Sequence, residues 1–95
     1  MTNNFNIEGF ETFDKAIIDF SASWCGPCNV LSPILDELTE TTDIKVFKID
    51  VDENQDMAIA NEVRSVPTML FFKNGELINR TTGIKRKDEI IEIFN

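Results

Sequence analysis

The stretch Ser23-Trp24-Cys25-Gly26-Pro27-Cys28-Asn29 contains both cysteines of this 95-residue chain. It lies between a short apolar run, Ala16 to Phe20, and a segment with helical periodicity that begins after Cys28. A close cysteine pair in this position can be a structural disulfide, half of a zinc site or a redox couple. The surrounding sequence separates these three hypotheses.

Neither a structural disulfide nor a zinc site explains the cysteine pair well. A disulfide between Cys25 and Cys28 would close a very short loop, and the stabilisation that a disulfide provides grows with loop length. A structural zinc ion takes about four ligands. The chain has no histidine and no third cysteine, so a zinc site would have to be shared between two chains.

The redox hypothesis explains the position of the pair. Cys25 lies where a strand is predicted to end and a helix to begin, and the N–H groups and dipole of a helix N-terminus stabilise a thiolate. A thiolate is the nucleophile of disulfide exchange, and Cys28, one turn further on, can attack the mixed disulfide and release the product. Gly26 and Pro27 set the tight spacing between the two cysteines. The pattern therefore predicts thiol–disulfide chemistry.

Strand-like and helical segments alternate outward from this stretch. The first half is predicted to contain a short edge strand over Phe5-Asn6-Ile7, one or two helical turns within Gly9–Lys15, a buried strand over Ala16–Phe20, and a helix with the apolar stripe Val30, Leu31, Ile34, Leu35 and Leu38. The middle is predicted to contain a strand over Ile44–Ile49 and a helix over Met57–Val63 with capping residues in Asp50–Asn54. The last part is predicted to contain a strand over Val66–Phe72, an Asn74-Gly75 hairpin turn, a return strand over Leu77–Thr82 and a helix over Asp88–Phe94. This order predicts a small α/β domain whose sheet mixes parallel crossovers with an antiparallel hairpin.

Three further residues could take part in the chemistry. Asp19 interrupts a strand that otherwise looks buried, so it either faces solvent at a sheet edge or is a buried acid with a raised pKa that can take the proton of Cys28. Lys48, on the next strand, either tunes Asp19 or is an exposed strand lysine. Pro67 either starts an edge strand or follows a cis bond that leaves the Val66 backbone free to pair with an extended substrate.

The composition limits the partners and the location. The formal net charge is -8 and the sequence pI is about 4.3, which disfavours binding to nucleic acid. The one dense basic run, Lys85-Arg86-Lys87, is predicted to be a solvated helix start. The N-terminus does not resemble a secretion signal and no segment is long enough to span a membrane, so we expect a cytoplasmic protein. In a reducing cytosol a close cysteine pair is more often catalytic or metal-binding than structural.

The residues match a known family at several places in order. The matches are Trp24-Cys25-Gly26-Pro27-Cys28, Asp19-Phe20, Lys48 with Asp50-Val51-Asp52, Val66-Pro67-Thr68 followed by Phe72-Lys73-Asn74-Gly75, and Gly83 before the last helix. Over nearly its whole length the chain resembles thioredoxins. The resemblance implies one thioredoxin domain over residues 1–95, with a central mixed sheet of four to five strands flanked by helices.

The resemblance also implies roles for individual residues. Cys25 would attack and Cys28 would resolve, with Asp19 as the buried acid–base group and Lys48 as its neighbour. A flat apolar surface would receive protein substrates, and its residues would be Trp24, Gly26, Pro27, Val66, the cis-proline Pro67, Gly83 and Ile84. No metal or bound cofactor is implied, because electrons would come from a separate flavoprotein reductase that uses NADPH. The expected protein is a monomeric reductase of protein disulfides.

The chain departs from the family pattern in three places. Ser21 stands where most relatives have an aromatic residue, Ser65 replaces the usual glycine before Val66, and the N-terminal strand and helix look trimmed. These departures leave a non-standard electron donor as an alternative to the usual reductase. Two other functions are alternatives to a general reductase: a specialised reductant for one dedicated partner, and a binding module of the same fold in which redox turnover is incidental.

Overall fold

Four strands form one mixed sheet in the part of the chain that the computed structural model describes, which is residue 5 and residues 7–95. The strands are β1 (Lys15–Ser21), β2 (Lys45–Asp50), β3 (Thr68–Lys73) and β4 (Glu76–Thr82). Their order across the sheet is β2-β1-β3-β4. The β1–β2 pair is parallel, whereas β1–β3 and β3–β4 are antiparallel, which confirms the predicted mixed sheet.

Strand β1 is central because it pairs with β2 on one side and β3 on the other. Its five inner residues are all buried, as expected for a strand covered on both faces. Ile17 faces one side of the sheet and joins a core with Met69 and Phe71. Ile18 and Phe20 face the opposite side and join a second core. The central position excludes the alternative that Asp19 lies on a solvated edge.

Helices α1 (Gly26–Thr41) and α3 (Lys87–Ile93) contribute apolar side chains to the core that contains Ile17. The buried residues of α1 are Cys28, Leu31, Leu35 and Leu38. The predicted stripe is wrong at Val30, which is 54% exposed. The buried face of α1 begins at Cys28, and Val30 lies outside this face, which the apolar periodicity alone does not show.

The opposite face of the sheet is covered by phenylalanines from the N-terminal segment. A single 3-10 turn, Phe10–Thr12, confirms the predicted helical turn in this region. The Phe10 ring lies 4.9 Å from that of Phe72 and 5.6 Å from that of Phe5, centroid to centroid. The edge strand predicted over residues 5–7 is not observed at Phe5, which lies in a turn, or at Ile7, which lies in irregular backbone; Asn6 lies outside the described residues.

Helix α2 is short, Gln55–Ala60. Asn54 occupies the N-cap position as the sequence predicts, but its side chain makes no capping hydrogen bond. It donates instead to the carbonyl oxygen of Asp50 at 3.0 Å. The carboxylate of Asp50 accepts from the backbone N–H of Asp52, so this segment forms a compact turn before the helix begins.

The β3–β4 turn confirms the predicted hairpin. Asn74 and Gly75 both have positive φ, 52° and 82°, as a type I′ turn requires. The N–H of Asn74 donates to the carbonyl oxygen of Asp14 at 2.9 Å, and a Cβ at Gly75 would lie 2.8 Å from Cβ of Glu11. The turn is therefore packed directly against the N-terminal segment.

Candidate active site

Cys25 lies at the junction between the end of β1 and the start of α1. It is the N-cap residue of α1, and its sulfur accepts the backbone N–H of Cys28 at 3.2 Å. Pro27, in the first turn, is favourable there because a proline needs no hydrogen-bond acceptor for its missing N–H. The N-cap residue of a helix is usually Ser, Thr, Asp or Asn, whose side-chain oxygen accepts a backbone N–H of the first turn. A cysteine in their place leaves its sulfur facing the positive end of the helix dipole, where a thiolate is stabilised.

Cys25 and Cys28 form a disulfide, and their Cα atoms are 5.3 Å apart. Both residues are 5% exposed and pack with Ala22 against Val51 and Val66. Exposure therefore does not distinguish the two cysteines. The hydrogen bond from the N–H of Cys28 to the sulfur of Cys25 does, because it is directed at Cys25 alone.

The loop before β3 faces the cysteines. The Val66–Pro67 peptide bond is cis, as the second of the two hypotheses for Pro67 requires. The carbonyl oxygen of Val66 lies 3.6 Å from Sγ of Cys25. Pro67 is buried and Val66 is half-buried, so the residue before the proline is the one that borders the surface.

Trp24 forms the other side of the entrance to the site. Its side chain is 69% exposed, and its indole N–H donates to Oδ2 of Asp52 at 2.8 Å. A cavity of about 200 Å³ lies beside it; the lining residues are Trp24, Val51, Ala58, Val63, Arg64, Ser65 and Val66. A wider depression of about 620 Å³ over residues 52–57 and Ala60 does not include the cysteines.

The remaining residues of the predicted apolar surface lie in two segments. Gly26 and Pro27, at the start of α1, are exposed. Gly83 is half-buried, and its N–H donates to the carbonyl oxygen of Pro67 at 3.0 Å. Ile84 is 44% exposed. The hydrogen bond between Gly83 and Pro67 joins the segment after β4 to the loop that faces the cysteines.

Asp19 is buried, with 3% of its surface exposed. Its Oδ1 makes no hydrogen bond with any residue that the structure describes. Burial raises the pKa of Asp19 from 3.8 to about 6, and the positive charge of Lys48 opposes the shift. The charge of this carboxyl group therefore changes close to neutral pH, where thiol exchange needs an acceptor for protons.

Lys48 lies directly opposite Asp19 in the β1–β2 register, so the two side chains are on the same face of the sheet. Lys48 nevertheless makes its close contacts with α1. Its Nζ donates to Oγ of Ser32 at 2.7 Å and to Oδ1 of Asp36 at 2.8 Å. Ser32 and Asp36 follow Cys28 at intervals of one helical turn, so the three side chains lie along one stripe of α1.

Some of these contacts were not predicted from the sequence. Asp52 belongs to the Asp50-Val51-Asp52 match, but its hydrogen bond to Trp24 was not inferred. The spacing of Ser32 and Asp36 from Cys28 was the available signal for their shared stripe.

Two residues that depart from the expected family pattern make backbone contacts. Ser21 is half-buried, and its carbonyl accepts the N–H of Val51 at 2.9 Å. The carbonyl of Ser65 accepts the hydroxyl of Thr68 at 2.6 Å.

None of the described helices is long and apolar enough to cross a membrane. No group of three or more His, Cys, Asp or Glu side chains within residues 5 and 7–95 is arranged to hold a metal ion.

A disulfide that can form and break at the start of a helix carries out the chemistry of a thiol–disulfide oxidoreductase. The mixed sheet with helices on its faces, which presents this disulfide at the junction of β1 and α1, places the chain in that class. Comparison with known proteins identifies the family within the class.

The chain belongs to the thioredoxin family, since the family model described as Thioredoxin matches residues 1–95. It is 36% identical to a thioredoxin of Rickettsia conorii, in an alignment that covers 100% of this chain and 92% of the relative. It is 42% identical to a thioredoxin of Bacillus subtilis, with coverage of 90% and 85%.

Solved structures agree with this assignment. A mutant thioredoxin from Halobacterium salinarum superposes with a TM-score of 0.83 at 43% identity, and the match covers 88% of this chain and 74% of that one. The oxidised mitochondrial thioredoxin 3 of Saccharomyces cerevisiae gives 0.78 at 38% identity, covering 87% and 79%. The predicted fold and function are confirmed: this is a thiol–disulfide oxidoreductase of the protein-disulfide reductase type.

Proposed function

We propose that residues 1–95 act as one monomeric thioredoxin domain, in which Cys25 attacks substrate disulfides and Cys28 resolves the intermediate. The hydrogen bond from the N–H of Cys28 to the sulfur of Cys25 carries this proposal. The same N–H and the helix dipole stabilise negative charge on Cys25 in the reduced protein. The thiolate of Cys25 is then available as the nucleophile.

The first step forms a mixed disulfide. The Cys25 thiolate attacks one sulfur of the substrate disulfide, the substrate S–S bond breaks, and the other substrate sulfur leaves as a thiolate. The substrate lies against an apolar surface whose residues are Trp24, Gly26, Pro27, Val66, Pro67, Gly83 and Ile84. The position of Val66, whose carbonyl oxygen lies 3.6 Å from Sγ of Cys25, supports pairing of its backbone with an extended substrate segment.

The second step releases the product. The carboxylate of Asp19 takes the proton of the Cys28 thiol, and the Cys28 thiolate attacks Sγ of Cys25. The Cys25–Cys28 disulfide forms, the mixed disulfide breaks, and the substrate leaves with both of its sulfurs reduced. Two electrons have passed from the protein to the substrate. The burial of Asp19 supports this role because it brings the pKa of the acceptor close to neutral pH.

The oxidised protein must be reduced before it can act again. We propose that a separate flavoprotein reductase that uses NADPH donates the two electrons, and that the protein works in the cytoplasm. Family membership supports a partner of this kind, and the reducing cytosol suits a protein that supplies thiols.

The test compares two single variants. Cys28→Ser leaves the attacking sulfur but removes the resolving one, so incubation with oxidised insulin will accumulate a mixed disulfide at Cys25. Cys25→Ser removes the nucleophile, and we expect neither a covalent adduct nor insulin reduction. Mass spectrometry of the adducts measures both results. Adducts on Cys28 in the Cys25→Ser variant would reverse the two roles.

The same variants test the binding-module alternative. A protein that acts only by binding keeps its partner affinity in Cys25→Ser, whereas a reductase loses turnover entirely. Insulin reduction by the unaltered protein with dithiothreitol as the electron source is the reference. Failure of the unaltered protein to reduce insulin would reject a general reductase and favour a dedicated partner.

A further inference from the structure

Helix α2 is followed by Asn61 and then by Glu62, which has a left-handed backbone conformation. The N–H of Glu62 donates to the carbonyl of Ile59 at 3.0 Å, and the N–H of Val63 donates to that of Ala58 at 2.9 Å. These two bonds form a Schellman motif, which requires a left-handed residue after the helix. Glu62 occupies that position with φ 55°, although glycine is the residue that adopts this conformation without strain.

Arg80, from strand β4, binds the same turn. Its Nη1 donates to the carbonyl of Asn61 at 2.7 Å and its Nη2 donates to the carbonyl of Glu62 at 2.6 Å. A guanidinium group suits this task because its donors are fixed in a plane and can reach two acceptors at once. A strained backbone residue persists where the surroundings hold it in place, and Arg80 supplies such a restraint.

Strand β4 also holds the other end of the segment that follows. The register pairs Thr82 with Thr68, and the N–H of Gly83 donates to the carbonyl of Pro67. Residues 63–66 therefore lie between two anchors: the side chain of Arg80, from β4, before them and the backbone of Gly83, the residue that follows β4, after them. These four residues line the cavity beside Trp24.

We propose that Arg80 is a positioning residue for substrate binding, which fixes residues 63–66 so that the backbone of Val66 faces Cys25 in a single orientation. Arg80 acts through the Asn61–Glu62 turn and does not take part in the chemistry. The inference rests on the proposed pairing of a protein substrate with Val66. A small disulfide reagent does not use that pairing, so its reduction is independent of Arg80.

The test uses Arg80→Met, Arg80→Lys and a matched control, Lys45→Met. Arg80→Met keeps an apolar stem and loses both hydrogen bonds, while Arg80→Lys keeps the charge but cannot hold two carbonyls with a planar fork. Lys45 is exposed on β2, so its replacement removes the same charge elsewhere on the sheet. Each variant is assayed for the KM and kcat of insulin reduction and for the rate at which its reduced form reacts with 5,5′-dithiobis(2-nitrobenzoate).

We expect Arg80→Met to raise the KM for insulin about fivefold, because both hydrogen bonds to the Asn61–Glu62 turn are lost, with kcat and the reaction with the small disulfide unchanged. Arg80→Lys will fall between Arg80→Met and the unaltered protein, and Lys45→Met will match the unaltered protein. Amide hydrogen exchange will increase over residues 61–66 in Arg80→Met. Exchange is measured residue by residue in the folded protein. A general loss of stability would increase exchange throughout the protein and is therefore distinguished from a change confined to residues 61–66.

Three results would overturn the inference: an unchanged KM for insulin in Arg80→Met, an equal loss of activity towards insulin and the small disulfide, or an equal effect of Lys45→Met. Failure of the proposed function gives a different result. In that case the unaltered protein does not reduce insulin, whatever residue stands at position 80.

Discussion

At the scale of single residues, burial and the positive charge of Lys48 act in opposite directions on the pKa of Asp19. They lie opposite each other in the parallel β1–β2 pair, yet Lys48 contacts Asp36 and Ser32 of α1. From β3, the residue opposite Asp19 is Met69, which carries no charge. The proton affinity of Asp19 therefore depends on its burial and on how closely Lys48 approaches it.

The burial of Asp19 makes stability depend on pH. Its folded pKa of about 6 lies above the ordinary value of 3.8, so its contribution to stability is complete below pH 3.8 and is lost as the pH rises through about 6. Asp19→Asn removes this loss. We expect the free energy of unfolding of the variant, relative to that of the unaltered protein, to increase by on the order of 3 kcal/mol as the pH rises from about 4 to about 8. Denaturant titrations at several pH values measure the difference, and a flat difference would show that Asp19 keeps an ordinary pKa.

The contacts of Lys48 predict two shifts of opposite sign. Lys48→Met removes the nearby positive charge, so the pKa of Asp19 will rise further above about 6. Asp36→Asn removes a negative charge and frees Lys48 to approach Asp19, so that pKa will fall. Carboxyl NMR titration measures both. Glu37→Gln is the matched control, because Glu37 is next to Asp36 on α1 but pairs with Lys87; a shift as large in this control would mean that the Lys48 contact has no specific effect.

At the scale of elements, the β3–β4 hairpin is held by its turn and by what the turn touches. Gly75 and Gly83 have nearly equal positive φ, 82° and 83°, but their surroundings differ. A Cβ at Gly75 would lie 2.8 Å from Cβ and 3.0 Å from Cα of Glu11, whereas a Cβ at Gly83 would meet nothing within 4 Å. The two positions therefore separate backbone strain from steric contact.

Alanine substitution at the two glycines will give unequal losses of stability. Gly83→Ala carries the strain of the left-handed conformation alone, about 1–2 kcal/mol. Gly75→Ala carries the same strain and must also displace the backbone of Glu11, so we expect roughly 1–3 kcal/mol more from the overpacked contact. Thermal and denaturant unfolding of both variants measures the difference. Equal losses would show that the N-terminal turn is not firmly packed against the hairpin.

The elements were largely predictable from local sequence, because their signals are local. Apolar runs bounded by turn residues indicated the strands, and Asn74-Gly75 indicated the hairpin. The position of Asp19 in the sheet was not settled by the residues alone, which allowed either a solvated edge or a buried strand; the strand order shows that β1 is central. The contacts of Lys48 and Arg80 also join segments distant in sequence, and no periodicity records which carbonyl or hydroxyl a long side chain will reach.

At the scale of the whole molecule, the net charge of -8 favours some substrates over others. A molecule of this charge attracts positively charged partners and repels negatively charged ones over distances of about 10 Å at moderate salt. The preference among substrates therefore follows from the summed charge. Both this charge and the cysteine pair could be recognised from the sequence, the pair because its chemistry needs both sulfurs at a fixed spacing.

The charge predicts opposite salt dependences for two peptide disulfides of equal length. At low salt a lysine-rich peptide will be reduced roughly tenfold faster than a glutamate-rich one, and the difference will shrink as the salt concentration rises to about 1 M. Chromatographic separation of reduced and oxidised peptide measures each rate. Equal rates at low salt would show that local apolar contacts outweigh the charge of the molecule.

The exposed position of Trp24, next to Cys25 in the chain, has a practical consequence. Trp24 is the one tryptophan of a chain without tyrosine, and it borders the cysteine pair. Indole emission from the protein therefore originates entirely at the entrance to its active site. Opening of the disulfide, docking of a reductase or arrival of a substrate will each change the surroundings of this ring, so the protein carries its own optical reporter and needs no added label.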